Sequence, residues 1–295
     1  QNIDQMTNLS DDQKKAAKGA IDKADSNAAV TKAFNNGTVA INKDDANAAI
    51  DGALAEKNNS IEDAPNLTDE EKQSVKDQAK KAADNAKTAI STASTVTAVE
   101  SAKNTGVQTI KNMTIPTVSA VKQKASANID DVAKAAKQAI DNTKGLTNSE
   151  KEAAKSQVDT DAKAAKGAID KADSNAAVTK AFNNGTVAIN KVSAKAAIDD
   201  ALNNKKSEIN GATNIDQPTK DNLIKEATDA ATKAKDAIDK ATTNNDVATE
   251  QTKGTKAIDA VKVPSLTDSQ TAAKKAIDDA LNNKKSEING ATNID

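Results

Sequence analysis

Along residues 68–92, Val75, Ala79, Ala82, Ala86 and Ile90 follow a 4-3-4-4 spacing among mostly polar and charged residues. An α-helix turns once in 3.6 residues, so this spacing lays one apolar stripe along a helix, here named A. Helix B carries Val30, Phe34, Gly37 and Ile41 at spacings 4-3-4. Helix C carries Ile198, Leu202 and Ile209, matched by Ile50, Leu54 and Ile61 and by Ile277, Leu281 and Ile288. Lys205, Lys57 and Lys284 fall on the same C stripe, and their stems are expected along the core edge with the ammonium groups in water.

The pattern repeats. Residues 15–43 recur without a difference at 163–191, and residues 197–216 recur at 276–295. The helix A anchors Ile21, Ile90, Ile169 and Ile238 are spaced 69, 79 and 69, so two unit lengths alternate. A verbatim copy points to a part whose job is repetition, since an active site depends on surroundings that differ. The first helix A is shorter than the others when its "NID" is aligned with the later copies, which implies a truncated or rearranged first module.

Capping boxes mark the helix starts: Thr68 with Glu71, Thr147 with Glu150, Ser10 with Gln13, and Thr267 with Gln270. Asp77 with Lys81 and Asp236 with Lys240 are i,i+4 pairs in the favourable order on solvated faces. Gly37, Gly106, Gly185 and Gly254 hold one position on the helix B stripe in all four copies. Glycine inside a helix costs roughly 0.5–1 kcal/mol relative to alanine. Close approach of a neighbouring helix backbone is the simplest compensation; a notch facing a ligand is the alternative.

Between B and C, "VAINKDDANAAID" and "VAINKVSAKAAID" contain neither Gly nor Pro, so B is expected to run into C as one helix. In the longer links Pro116 and Pro264 stop the helix and make a looser joint. The fold class that follows is all-α: tandem three-helix bundles arranged end to end as an elongated rod. Cut as C-A-B, the modules are a partial one at 1–43 (helices A and B), complete ones at 44–113, 118–191 and 192–262, and a partial one at 264–295 (helix C). An A-B-C cut uses the same residues and stays open.

Composition narrows the chemistry. Trp and Tyr are absent and Phe occurs only at Phe34 and Phe182, which favours slim helical packing over a large mixed core. Net charge is −2, and every basic residue is lysine, which argues against nucleic-acid readout by guanidinium forks. Without cysteine or histidine there is no disulfide, thiol nucleophile, imidazole catalysis or nitrogen- or sulfur-ligated zinc. "DKADSN" is too short for a calcium loop and has the form of a helix cap. No catalytic, cofactor or metal site is therefore expected, and the chain is not expected to be an enzyme. No apolar run reaches membrane-span length, and no signal peptide is visible. Both ends fall inside the repeat pattern, as expected of an excerpt from something longer.

The succession of "AAIDDALNNKKSEI", "LTDEEK", "AKTAI" and "VTAVESAKNTGVQTI" resembles the domain of unknown function 1542 repeat of Gram-positive surface proteins. "NIDQPTKDN" departs from the "LTDEEK" form in its cap. The resemblance implies an exported, cell-wall-anchored protein linked to adhesion or biofilm formation, its repeats lying between a distal binding domain and the wall. On that footing the chain is expected to be a stalk, a monomeric rod whose partners are neighbouring repeats. A helix of about 22 residues spans roughly 33 Å, so four modules would reach on the order of 130–150 Å. The alternative is a direct helical adhesin that binds a host extracellular-matrix or serum protein through weak multivalent contacts. Against it stands the lack of Trp, Tyr and Arg, which dominate recognition hot spots. A third reading, a hydrophilic desiccation protectant disordered until dried, fits the composition but not the recurrent caps, stripes and stripe glycine.

Overall fold

The computed structural model describes residues 11–290, and among them are ten α-helices and no strand. In chain order they are α1 (Asp11–Asp22), α2 (Asn27–Glu62), α3 (Asp69–Thr92), α4 (Val96–Lys111), α5 (Ala120–Asp141), α6 (Asn148–Lys171), α7 (Asn175–Gly211), α8 (Gln217–Lys240), α9 (Asn244–Asp259) and α10 (Leu266–Gly290). They fall into two compact units, residues 1–123 with 172–175 and residues 124–171 with 176–295.

In the first unit α2 runs unbroken for 36 residues through "VAINKDDANAAID", where nothing interrupts the hydrogen-bond ladder. Its first half pairs with α1 as a hairpin. Its second half joins α3 and α4 in a trio whose core holds Ile50, Ala53, Ala83, Ala86, Ile90, Val99 and Ile110. Helix C therefore packs with the A and B that follow it. Alanines let the helix axes approach, and each fully buried isoleucine adds about 1.5–3 kcal/mol of transfer free energy.

The second unit repeats this plan with a 37-residue helix, α7. The first part of α7 packs with α5 and α6, burying Ile129, Ile140, Val158, Ile169, Val178 and Ile189. The second part packs with α8 and α9 around Ile198, Leu202, Ala227, Ala231, Ile238, Val247 and Ile258. At 1.5 Å per residue α7 is roughly 55 Å long and serves two successive trios. Helix α10 follows.

Several expected core positions differ. On α3 the buried alanine is Ala83, and Ala82 is half-buried. Both spacings suit 3.6 residues per turn, and the position of the third helix selects between them. Leu54 is half-buried, with Ala53 taking the interior place. Of the first helix B stripe only Ile41 is buried; Phe34 is 58% exposed and Val30 38% exposed, because among the described residues α1 is the helix that lies against this part of α2. On α10 the stripe of Ile277, Leu281 and Ile288 is exposed, in contrast to the identical stripe of α7.

Candidate functional site

Three notches of one construction recur. On α4, a Cβ added to Gly106 would collide with Ala86 Cβ of α3 and lie 2.6 Å from Ile50 Cδ1 of α2. On α9, Gly254 meets Ala234 of α8 and Ile198 Cδ1 of α7, the latter at 2.7 Å. On α7, Gly185 meets Ala165 of α6 and Ile129 Cδ1 of α5, the latter at 3.2 Å. What crowds the glycine is thus an alanine methyl and an isoleucine tip; the nearest backbone atoms, the alanine Cα atoms, stand farther off at 3.7, 3.6 and 3.5 Å respectively. Because lysine follows the alanine and aspartate follows the isoleucine, an ion pair rims each notch. These are Lys87–Asp51 at 2.6 Å, Lys166–Asp130 at 2.6 Å and Lys235–Asp199 at 2.5 Å. Each partly exposed pair is worth only about 0.2–1 kcal/mol, and each ties A to C once in its own trio. At Gly37 the surroundings change: an added Cβ would find Ala17 Cβ at 3.4 Å and no isoleucine within 4 Å.

The caps form a second set. Thr68 is fully buried, and its hydroxyl accepts from Glu71 N–H while Glu71 Oε2 accepts from Thr68 N–H at 3.0 Å. The Thr68 hydroxyl also donates to Asn175 Oδ1 at 3.0 Å, and Asn175 N–H donates to Glu70 at 2.9 Å. Glu71 reaches further, accepting from Val121 N–H at the start of α5. Burial pushes the Glu71 carboxyl up, but hydrogen bonds from Thr68, Ser119, Val121 and Ala120 outweigh it and leave the group below its ordinary value. Thr147 and Glu150 make the same reciprocal box in the open, and hydrogen bonds from Thr147 hold Glu150 low. In the divergent "NIDQPT", Asp216 is the cap, accepting from Thr219 N–H at 3.0 Å with Pro218 in the first turn. At α10 the expected pairing of Thr267 with Gln270 gives way to Ser265 with Asp268. The S-x-x-D signal stands two residues before the T-x-x-Q signal, and Pro264 sets the earlier start. The proposed box at Ser10 lies outside the described residues.

Two of the three stripe lysines do not simply reach water, whereas Lys284 on α10 is exposed beside Glu287 at 2.7 Å. Lys57 Nζ donates to the carbonyls of Lys111 and Met113 at 2.8 and 2.9 Å, and Lys205 Nζ donates to that of Asp259 at 3.2 Å. These carbonyls close helix B, where orphan oxygens and the helix dipole favour a cation. The proline links are tied down as well. Pro116 and Pro264 lie between helices, and Asn66 donates to Thr117 O at 3.0 Å while Asn214 donates to Pro264 O at 2.7 Å. Both asparagines stand two residues before a cap, a spacing visible in the sequence. Asp200 of α7 accepts from the N–H groups of Lys144 and Gly145 at 2.8 and 2.5 Å, and Asn203 donates back to Gly145 O at 3.1 Å. A Cβ at Gly145 would lie 2.7 Å from Asp200 O, so the turn approaches only as glycine.

Between α3 and α4 runs an open groove of about 640 Å³ floored by Ala82, Ala86, Ala98 and Ala102; its counterpart between α8 and α9 is about 590 Å³. Among the described residues no cluster of acidic side chains is placed to hold a metal ion, and no helix is long and apolar enough to cross a membrane.

Shared helices, recurrent notches and recurrent caps define a tandem helical-repeat protein. Residues 42–118, 121–195 and 190–266 match the Domain of Unknown Function (DUF1542), and the chain belongs to that family. Residues 1–39 match the GA module. Both families are typical of Gram-positive surface proteins, and the chain is a repeat region of that kind. No curated protein and no solved structure matches it. The two family matches overlap in content: residues 15–39, inside the GA match, recur verbatim at 163–187 inside a DUF1542 match.

Proposed function

We propose that the chain is a stalk segment that projects a distal adhesive domain from the wall of a Gram-positive cell. The observation that carries this reading is the fusion of helix B with the next helix C in α2 and α7. A trio that hands one of its helices to its neighbour turns each added copy into added length. The bonded links at Thr117 and Pro264 extend the same logic to the proline joints. The reading gives the chain no catalytic step and no cofactor. Small-angle X-ray scattering tests it. A rod of about 130–150 Å has a radius of gyration of roughly 40 Å. A chain of this length packed as one globule has about 19 Å, and that result overturns the reading.

The GA match favours a second reading, direct binding of a serum protein, since such modules bind albumin in some proteins. Immobilised chain exposed to serum albumin separates the two. A pure stalk retains nothing. A binder whose determinants lie within residues 15–39 carries them again at 163–187.

A further inference from the structure

Helix α7 carries the pair Asn–Gly twice, at Asn184–Gly185 in its interior and at Asn210–Gly211 in its last turn. In this pair the backbone nitrogen lies open to the asparagine side chain, because glycine has no Cβ to obstruct the approach. The two settings differ. Gly185 is buried beneath Ala165, so its lack of a side chain serves the notch. Asn210 and Gly211 are exposed, and a Cβ at Gly211 would meet nothing within 4 Å. No glycine among the described residues has a positive φ. Neither packing nor backbone conformation therefore calls for glycine at 211.

Position 210 carries an acid in the other two complete trios. Asn210 stands 69 residues after Asp141, and Asp141 stands 79 after Glu62, the two spacings of the repeat. In each trio a lysine of helix A donates to this residue's carbonyl: Lys72 to Glu62 O at 2.9 Å, Lys151 to Asp141 O at 3.0 Å and Lys220 to Asn210 O at 3.0 Å. Orphan carbonyls at a helix end favour such a cation. Glu62 and Asp141 add ion pairs to Lys76 and Lys155, and Ile224 holds that lysine's place in the third trio. Lys220 is thus the α8 lysine that reaches the end of α7, and it meets an amide residue where its counterparts meet acids.

We propose that Asn210 is a modification site that deamidates spontaneously in the folded chain, giving the third trio the carboxylate that the other two encode. Gly211 N gives up its proton to solvent and bonds to Asn210 Cγ; the bond from Cγ to Nδ2 breaks and ammonia leaves. Water then opens the five-membered succinimide. Addition at Cγ gives aspartate. Addition at the main-chain carbonyl gives isoaspartate, in which the chain runs through Cγ and the oxygen now bonded to Lys220 belongs to a free carboxylate. A hydrogen bond to a charged acceptor is roughly twice as strong as a neutral one, so Lys220 favours that product. Ring closure turns the asparagine away from helical ψ and removes the glycine N–H from the ladder. At Asn184 this means opening the middle of a 37-residue helix, whereas a last turn frays at little cost. The proposal goes beyond the stalk reading, which needs no covalent change, and its failure leaves that reading standing.

Peptide mass mapping of the 295-residue chain, aged in neutral buffer at physiological temperature, tests it. Cleavage after lysine isolates Asn210 in residues 207–220, and cleavage before aspartate isolates Asn184 in residues 173–198. The amide-to-acid mass gain should appear at Asn210 more than about tenfold faster than at Asn184, which corresponds to about 1.4 kcal/mol or more in opening free energy. In concentrated urea, where both pairs are equally free, the two rates should converge. Gly211→Ala puts a methyl on the attacking residue in open space, so circular dichroism should show the helix kept while the gain at Asn210 falls at least about tenfold. A synthetic isoaspartyl peptide of 207–220 identifies the product by its retention. An Asn210 that stays intact in the folded chain, equal rates at Asn184 and Asn210 before urea is added, or a mass gain undiminished in Gly211→Ala overturns the proposal.

Discussion

Residues 15–43 and 163–191 are the same 29 residues in two settings. In the second, Ala165, Ile169, Val178 and Ile189 form part of a core; in the first, Phe34 and Val30 face solvent and Ile21 is half-buried. Helix formation is common to both, because caps and spacing are local. Burial is not, because it requires α5, and nothing equivalent lies on the first copy among the described residues. The gap at the notch records the same fact: with no isoleucine wedged in, Ala17 stands off from Gly37 while Ala165 presses on Gly185. A repeat of this kind carries half of an interface, and its neighbour decides whether that half is used.

Substitutions at twin positions can break this contrast. The largest difference is expected between Ile198→Ala and Ile277→Ala, identical changes in identical sequence. The first empties a core site and should cost about 2–5 kcal/mol. The second, in dilute solution, should stay within about 0.5 kcal/mol. Urea unfolding followed by circular dichroism measures both, and equal effects would mean that burial does not follow the trio.

Glycine gives a contrast of sign. Gly185→Ala forces a methyl onto Ala165 and Ile129, where overpacking of about 1–3 kcal/mol exceeds the helix-propensity gain of about 0.5–1 kcal/mol. Gly37→Ala meets only ordinary contact and should stabilise by about 0.5–1 kcal/mol. Thermal melts of the two variants should shift in opposite directions.

Caps give a smaller one. Thr68→Ala removes a buried hydroxyl bonded to Asn175 as well as an N-cap, and should cost about 1–2 kcal/mol. Thr147→Ala removes an exposed cap and should cost about 0.5–1 kcal/mol. Equal losses would show that the Asn175 bond contributes nothing.

The smallest effect is acid dependence. The carboxyls of Glu71, Glu150, Asp216 and Asp268 all lie below their ordinary values, Glu71 against the opposing push of burial and the others through hydrogen bonds at their caps. A lowered folded-state pKa contributes stability that is fully present above the unfolded value and is lost as pH falls through the folded one. The urea midpoint should therefore be flat from neutrality to about pH 5 and fall below about pH 4. In Glu71→Gln that fall should be shallower, and an unchanged profile would remove Glu71 as a contributor.

Much of the architecture is legible in the residues. The absence of Gly and Pro in "VAINKVSAKAAID" reads as an unbroken helix, and α7 is one. The box of Thr68 and Glu71 reads as a helix start, and α3 begins there. What escaped was long-range. Asp200 binding the Gly145 turn and Glu71 reaching Val121 join residues more than forty positions apart, and no spacing rule connects them. Lys57 and Lys205 lie on an apolar stripe, and only the neighbouring helix end explains why a cation belongs there. Ser265 and Asp268 were within reach, since their spacing is a cap signal in its own right.

The sequence by itself determined the helices, their fusion across two joints and the recurrence of one glycine per module, because backbone hydrogen bonding, capping and 3.6-residue periodicity act over a few positions. Only the tertiary structure decided which copy of an identical segment is core and which is surface, whether Ala82 or Ala83 turns inward, and which glycine is crowded. Those depend on the third helix, and a stripe records what a helix is able to bury, while the partner that covers it sets what is buried.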